Sequence, residues 1–129
     1  MDPAEVEAAL RARGCELTRQ RRAQLGYVFG WADHPTAAEV LAEVRRQVPS
    51  AGRATVYSTL ALLVDFGALR AERVGSETRY DANLARHHHR RCPQCGRLED
   101  VADEHVEVRL RGEPVLATVR FEAPCGGCA

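Results

Sequence analysis

Apolar residues in the first half of the chain recur at the three- and four-residue spacing of amphipathic helices. Four separate segments show this spacing, so the pattern predicts four helices. The apolar faces consist of Val6, Ala9 and Leu10 in the first segment, Leu25, Val28 and Phe29 in the second, Val40, Leu41 and Val44 in the third, and Val56, Leu60, Leu63 and Val64 in the fourth.

These segments are flanked by residues that favour the ends of helices. Thr36 followed three residues later by Glu39 forms a capping-box sequence. Glycines, which adopt left-handed backbone conformations readily, follow the first and fourth segments. The helices are therefore predicted to begin near Asp2, Thr18, Thr36 and Ser50, and the first and last to end at Gly14 and Gly67.

Two short strand-like runs, ALRAERV and TRYDA, flank a turn at residues 75–77 and predict a β-hairpin. The third and fourth helices, joined by a short turn and followed by a hairpin, have the layout of a winged helix-turn-helix. In that layout the fourth helix enters the major groove of DNA.

The composition changes near residues 81–84 to segments rich in His, Arg, Cys and Gly. Alternating apolar residues in RLEDVAD, VEVRL and PVLATVRF predict strands, while residues 103–111 fit either a strand or a helix. The predicted fold is α+β, with a winged-helix DNA-binding domain over residues 1–82. A small α/β dimerisation and metal-binding domain follows over residues 83–129.

Four of the five cysteines form two CxxC pairs, a spacing typical of a tetrahedral zinc site. These four are Cys92, Cys95, Cys125 and Cys128. Such a site has no open coordination position, so its expected role is structural; rubredoxin-like iron and a redox dithiol are the alternatives. Cys15 stands alone and is expected to be a small, partly buried residue.

Three consecutive histidines precede Cys92 in a segment expected to be extended. Alternation along a strand places His87 and His89 on one face, where they can share a metal ion, and His88 on the other. By themselves, His34, Asp81 and Asp100 look like ordinary surface residues.

The formal net charge of the 129 residues is zero, so a basic character of the whole molecule does not indicate nucleic-acid binding. The segment 11–22 nevertheless holds five arginines against one acid, a local basic patch. No run is long and apolar enough for a membrane span, and the acidic start after Met1 is unlike a secretory signal. A cytoplasmic, non-enzymatic protein is expected.

The segments that carry a family resemblance are LTRQR, HPTAAEV, ATVYSTLALLVDFGAL, TRYD, HHHRRCPQCG and the final CxxC. Through them the chain resembles the ferric uptake regulator family of metal-dependent repressors. The resemblance implies a homodimer that binds a pseudo-palindromic operator in double-stranded DNA, with structural Zn²⁺ on the four cysteines. It also implies a regulatory metal on His34, Asp81, His87, His89 and Asp100. Nitrogen and oxygen ligands suit Fe²⁺ or Mn²⁺ as corepressor.

For DNA, the resemblance implies that Tyr57 lies on the recognition helix beside Arg53, Thr55 and Ser58, and that Arg19, Arg21 and Arg22 contact phosphates. Aspartates at both acidic ligand positions look more like the peroxide-sensing branch of the family. An iron-uptake, manganese or zinc homeostasis regulator of the same fold is the alternative within the family. Outside it, the alternatives are a small CxxC thiol oxidoreductase, a metalloenzyme or a zinc-ribbon adaptor.

Overall fold

The computed structural model describes residues 2–30, 32–84 and 87–128, and the chain divides into two units, Met1–Leu84 and Ala85–Ala129. The predicted second helical segment extends over residue 31, which lies outside the described residues. No helix among the described residues is long and apolar enough to cross a membrane.

The first unit contains the four predicted helices and the predicted hairpin, in that order. The hairpin strands pair antiparallel across a two-residue turn, in which Gly75 has a φ of 64°. The elements are α1 (Pro3–Ala12), α2 (Arg19–Gly30), α3 (Ala37–Gln47), α4 (Arg53–Asp65), β1 (Arg70–Val74) and β2 (Glu77–Asp81).

Side-chain caps explain where α1 and α3 begin. Asp2 and Glu5 form a reciprocal capping box, in which each carboxylate accepts the other residue's backbone N–H at 2.9 Å. Thr36 Oγ1 accepts the backbone N–H of Glu39 at 3.2 Å. These caps stabilise free backbone N–H groups in the first turn of each helix.

The predicted start of α4 at Ser50 is wrong, because the helix begins at Arg53 with Gly52 as its N-cap. The backbone N–H of Ala51 donates to Val48 O at 2.9 Å, so Ser50 belongs to the turn that joins α3 to α4. The connection is therefore longer, and α4 shorter, than the apolar pattern indicates.

The helical core of the first unit uses the apolar positions that the sequence singled out. Val40, Val56, Leu60 and Leu63 are fully buried, and among the described residues of this unit fourteen buried apolar side chains form one core. After α4, Gly67 adopts a φ of 81°, as the predicted left-handed stop requires.

The wing is attached to the segment that precedes α3. The backbone N–H of Tyr80 donates to Pro35 O at 2.9 Å, and Thr36 forms an isolated antiparallel bridge with Arg79. The Arg79 guanidinium also donates to His34 O at 2.9 Å. These bonds place the chain around His34 beside the end of β2.

The second unit is built from short strands. Its three-stranded sheet has the order β4-β3-β7, with β4 antiparallel and β7 parallel to β3, and the β5–β6 hairpin lies outside this sheet. The strands are β3 (His87–Arg91), β4 (Leu98–Ala102), β5 (Val108–Leu110), β6 (Glu113–Val115) and β7 (Arg120–Glu122). The ambiguous segment 103–111 forms a 3-10 turn at Asp103–His105 and then β5.

Few apolar side chains are buried within residues 87–128. Leu98 is the one buried aliphatic side chain there, and the other buried positions are cysteines and histidines. The large hydrophobic side chains that remain exposed in the described chain, Leu110, Val115, Leu116 and Phe121, all belong to this unit. Apolar burial alone is therefore a weak source of stability for it.

Candidate metal centres and nucleic-acid interface

The four predicted zinc ligands come together in the second unit. One sulfur from each of Cys92, Cys95, Cys125 and Cys128 lies within 4.8 Å of the other three. The Cys95 and Cys125 sulfurs are 3.7 Å apart, close to the edge of about 3.8 Å expected for a tetrahedron with 2.3 Å Zn–S bonds. The arrangement fits a four-cysteine zinc site.

A tight knuckle holds the first CxxC pair. The backbone N–H of Gly96 donates to Cys92 O at 2.8 Å, and that of Cys92 donates to Arg97 O at 2.8 Å. Gly96 has a φ of 77°, a conformation in which other residues are strained. Hydrogen bonds from backbone groups of Cys125, Cys95 and Gln94 lower the pKa of Cys92 to about 6.

The fourth thiol has the opposite tendency. Hydrogen bonding to the sulfurs of Cys125, Cys95 and Cys92 raises the pKa of Cys128 to about 12. A negative charge on the Cys128 sulfur is unfavourable unless a cation lies among the four sulfurs. The cluster therefore has the charge properties of a divalent metal site.

A second donor set in the same unit contains two histidines and one aspartate. The Nε2 atoms of His87 and His89 are 3.1 Å apart, and they lie 3.2 and 3.3 Å from Asp100 Oδ1. Ligands bound at about 2.1 Å in octahedral geometry are separated by about 3.0 Å. The three atoms thus have the spacing of one face of a coordination sphere.

Strand geometry explains this convergence. His87 and His89 are two residues apart in β3, so they share a face as predicted, and His89 lies directly opposite Asp100 in the antiparallel pairing with β4. Both histidines are buried.

On the opposite face of β3, His88 has different contacts. His88 is 1% exposed, its Nε2 lies 2.7 Å from Asp103 Oδ1, and its Nδ1 accepts the backbone N–H of Val119 at 2.9 Å. His88 therefore joins three segments of the second unit and is separate from the donor set of His87 and His89.

The first unit carries two of the predicted regulatory ligands. His34 and Asp81 are both buried, with His34 Nε2 3.4 Å from Asp81 Oδ2. His34 Nδ1 lies 2.9 Å from Asp33 Oδ1. In the tautomer that donates its Nδ1–H to Asp33, Nε2 is the nitrogen that can bind a metal, and this hydrogen bond would orient the ring.

The predicted DNA-contacting residues of α4 are on its first two turns. Arg53 and Ser58 are exposed, whereas Thr55 and Tyr57 are half-buried, and Tyr57 packs against the core. The Arg53 guanidinium lies 4.8 Å from the centre of the Tyr57 ring, a cation–π contact. Ser58 Oγ donates to Thr55 O within the helix at 3.2 Å.

The arginines at the start of α2 are engaged in contacts within the first unit. Arg19 donates to Gln47 O at 3.1 Å, and Arg21 donates to Glu16 O at 2.8 Å. The Arg22 side chain, 55% exposed, lies 3.5 Å from Glu7. A guanidinium group has five N–H donors, so these contacts do not prevent it from binding a phosphate as well. Phosphate binding by these arginines stays a prediction.

Sequence reasoning missed several polar residues that surround these sites. Asp33 directly precedes His34, and its position next to a histidine was the available signal. Gln20 and Gln24 bind backbone groups of the segment 52–56. They look like ordinary polar positions of an amphipathic helix, so their contacts were not predictable from spacing.

Four helices followed by a hairpin, together with clustered cysteines and histidines in a second β unit, define a winged-helix protein with a metal-binding module. The sequence model of the Ferric uptake regulator family matches residues 12–115, and the chain belongs to this family.

Among similar proteins of known role is the peroxide-responsive repressor PerR of Staphylococcus aureus, which is 36% identical over 97 residues. That match covers 74% of this chain and 66% of the relative, slightly less than two thirds of its length.

Solved structures with the same fold include the ferric uptake regulator of Helicobacter pylori, with a TM-score of 0.75 at 17% identity, covering 97% of this chain and 89% of that one. The peroxide stress regulator of Campylobacter jejuni has a TM-score of 0.64 at 26% identity, with 99% of this chain and 100% of that one covered. The predicted fold class is confirmed.

Proposed function

We propose that the chain is a metal-dependent DNA-binding repressor, in which Fe²⁺ or Mn²⁺ is the corepressor and Zn²⁺ is structural. The observation that carries the proposal is the separation of two donor chemistries. Four sulfurs form one cluster, while nitrogen and oxygen donors form another set at His87, His89 and Asp100. Soft sulfur ligands select zinc, and the two-histidine, one-carboxylate set favours iron.

The regulatory ion would be held by these three residues together with His34 and Asp81. Support comes from family membership and from the donors of each unit, since His34 and Asp81 are buried near each other beside the wing. When bound, the ion supplies a cross-link between residues of the DNA-binding unit and residues of the second unit. Its binding energy then favours the DNA-binding form of the dimer.

For DNA, we propose that α4 lies in the major groove, with Arg53, Tyr57, Thr55 and Ser58 at the contact. The short α3–α4 connection and the wing after α4 support this placement. The arginines of α2 are proposed to contact phosphates, and the Arg22 side chain, which is 55% exposed, is accessible to one.

A homodimer is proposed for the second unit. Leu110 and Leu116 are 65% and 89% exposed there, while the described part of this unit buries little aliphatic surface of its own. Association of two copies would remove these side chains from water. Light scattering should give a mass of two chains, about 28 kDa from a chain mass of 14.2 kDa.

Selection of duplex DNA by the protein provides a test of whether DNA binding depends on the regulatory metal. Duplexes selected from a random pool by the zinc-loaded protein with added Mn²⁺ serve as the probe. Binding to the selected duplex should fall at least tenfold when Mn²⁺ is removed with a chelator that leaves zinc in place. DNA binding that is indifferent both to chelation and to added Fe²⁺ or Mn²⁺ would refute the regulatory proposal.

The ligand assignment has a matched test. His34→Ala and Asp81→Ala should each abolish the response to Mn²⁺ while zinc content stays at one per chain. His105→Ala changes an exposed histidine outside both donor sets and should retain the response. A normal metal response in both His34→Ala and Asp81→Ala contradicts the assignment.

We further propose peroxide as the signal, supported by the similarity to the Staphylococcus aureus peroxide-responsive repressor. Peroxide would transfer one oxygen atom to a ligand histidine and leave as water. Mass spectrometry of Fe²⁺-loaded protein after peroxide treatment should show one added oxygen on His34 or His89, and Mn²⁺-loaded protein should show none. Absence of the added oxygen from the Fe²⁺-loaded protein argues for an iron-uptake or manganese regulator instead.

A further inference from the structure

The recognition helix α4 lacks a side-chain cap of its own, because its N-cap residue is Gly52. A glutamine from α2 binds this residue instead. Gln20 Nε2 donates to Gly52 O at 3.2 Å, and Gly52 N–H donates to Gln20 Oε1 at 3.3 Å. The two bonds form a reciprocal pair between a side-chain amide and the backbone at the start of α4.

A second glutamine repeats the contact one turn further along. Gln24 is 0% exposed, and its Nε2 donates to Val56 O at 2.9 Å. Gln20 and Gln24 are four residues apart on α2, and Gly52 and Val56 are four residues apart along the chain. We call these two glutamines and their three hydrogen bonds the amide ladder.

Other side chains extend the polar contacts on both sides of the amide ladder. Arg21 Nε donates to Thr59 Oγ1 at 3.3 Å, one turn beyond Val56. Arg45 Nε donates to Ala51 O at 3.0 Å, in the turn before α4. Helix α4 and the turn before it are thus joined to α2 and α3 by directional bonds as well as by apolar packing.

Stability does not account for the buried glutamine. Gln24 Oε1 has no hydrogen-bond partner among the described residues, and burying an unpaired amide oxygen is unfavourable. Val56 O, within the helix, has the ordinary helical N–H as a second donor. A leucine at position 24 would avoid the unpaired oxygen and bury a similar volume.

The directionality of hydrogen bonds does account for the buried Gln24. Apolar contacts are non-directional and tolerate small rotations of one helix against another, whereas hydrogen bonds weaken steeply with misalignment. Three such bonds, two at Gly52 and one a turn later at Val56, restrict both the rotation of α4 about its axis and its position along that axis. Arg53 and Ser58 project from this helix, so the same restriction fixes where they point.

We propose that Gln20 and Gln24 are positioning residues, which hold α4 in the orientation that reads base sequence. This inference rests on the proposed function, since it assigns a role in DNA recognition. It assigns the glutamines no DNA contact of their own. Their replacement should therefore change discrimination between DNA sequences more than affinity for DNA in general.

The test compares Gln24→Leu and Gln20→Leu with the wild type as Mn²⁺-loaded, zinc-containing full chains. The probes are the duplex selected by the wild type and a scrambled duplex of the same length. For Gln24→Leu we expect an unchanged or higher Tm and a fall of about tenfold in the ratio of the two affinities, comparable to one lost base contact. Gln20→Leu should lower the ratio in the same direction.

Val28→Ala is the matched control, because Val28 is a buried apolar residue of the same helix and does not belong to the amide ladder. It should lower Tm and leave the affinity ratio unchanged. An unaltered ratio in both leucine variants, or a ratio that simply follows Tm across all three variants, overturns the inference. A wild type that selects no duplex at all contradicts the proposed function instead.

Discussion

Removal of zinc should unfold the second unit and leave the helical unit folded. Among residues 87–128 one aliphatic side chain, Leu98, is buried, and burial of such a side chain contributes about 1.5 to 3 kcal/mol. Ordering each residue of a chain costs about 1 to 2 kcal/mol in conformational entropy. This burial therefore offsets the ordering of only about one to three residues.

Under the proposed function, zinc on the four cysteines supplies the missing stability. Structural zinc sites contribute about 10 to 16 kcal/mol near neutral pH, which is comparable to the stability of a whole domain. The first unit does not depend on this site, because the fourteen buried apolar side chains among its described residues form a core of their own. Loss of zinc should consequently act on one unit alone.

Hydrogen exchange followed by mass spectrometry measures this directly. After chelation under reducing conditions, peptides from residues 87–128 should lose at least about a hundredfold of their protection, while peptides from α1 to α4 keep theirs. Cys15→Ser, which changes the cysteine outside the cluster, should behave as the wild type. Strands that keep full protection after elemental analysis shows complete loss of zinc would refute the reasoning, as would simultaneous loss in both units.

Single contacts lead to three further predictions. Asp33→Asn should weaken Mn²⁺ binding by about tenfold. This is the lower end of the effect of a residue that orients a ligand histidine, and it is expected because Asp33 is exposed. Calorimetry measures the affinity, and an unchanged value argues against the orienting role. Leu63→Ala should lower the unfolding free energy by about 2 to 5 kcal/mol in urea titrations, since Leu63 is fully buried; a loss below about 1 kcal/mol contradicts the packing. Arg90 lowers the pKa of Glu99, so the stabilisation from this pair is present above the ordinary pKa of a glutamate and disappears as pH falls through the lowered value. Tm of Glu99→Gln should therefore lie below that of the wild type at pH 7 and converge with it in acid, and a difference independent of pH contradicts the pairing.

Helix positions were predictable because they depend on local spacing and capping residues. Val56, Leu60 and Leu63 recur at helical intervals, and they are the buried face of α4. The start of α4 was mispredicted at Ser50, because the turn bond between Val48 and Ala51 competes with helix formation and has no strong sequence signal. Local patterns identify elements better than they identify the ends of elements.

The candidate metal donors were predictable to different degrees. CxxC spacing identifies the cysteine cluster because both sulfurs of a pair come from one tight turn. Strand alternation places His87 and His89 on one face, but their convergence with Asp100 depends on the register of β3 and β4, which the sequence alone does not determine. The contact between His34 and Asp81 depends on the pairing of residues 34–36 with the wing. The contacts that the sequence did not predict are therefore those that depend on the pairing of segments distant in the chain.

His34 has a φ of 47°, a left-handed backbone conformation that is uncommon for a residue with a side chain. Glycine adopts this conformation without strain. His34→Gly would therefore delete the imidazole while relaxing the backbone, whereas alanine at the same position retains the strain. Under the proposed function, a glycine variant that is as stable as the wild type but unresponsive to metal would lack metal sensing while keeping the fold, a useful reference for studies of regulation in living cells.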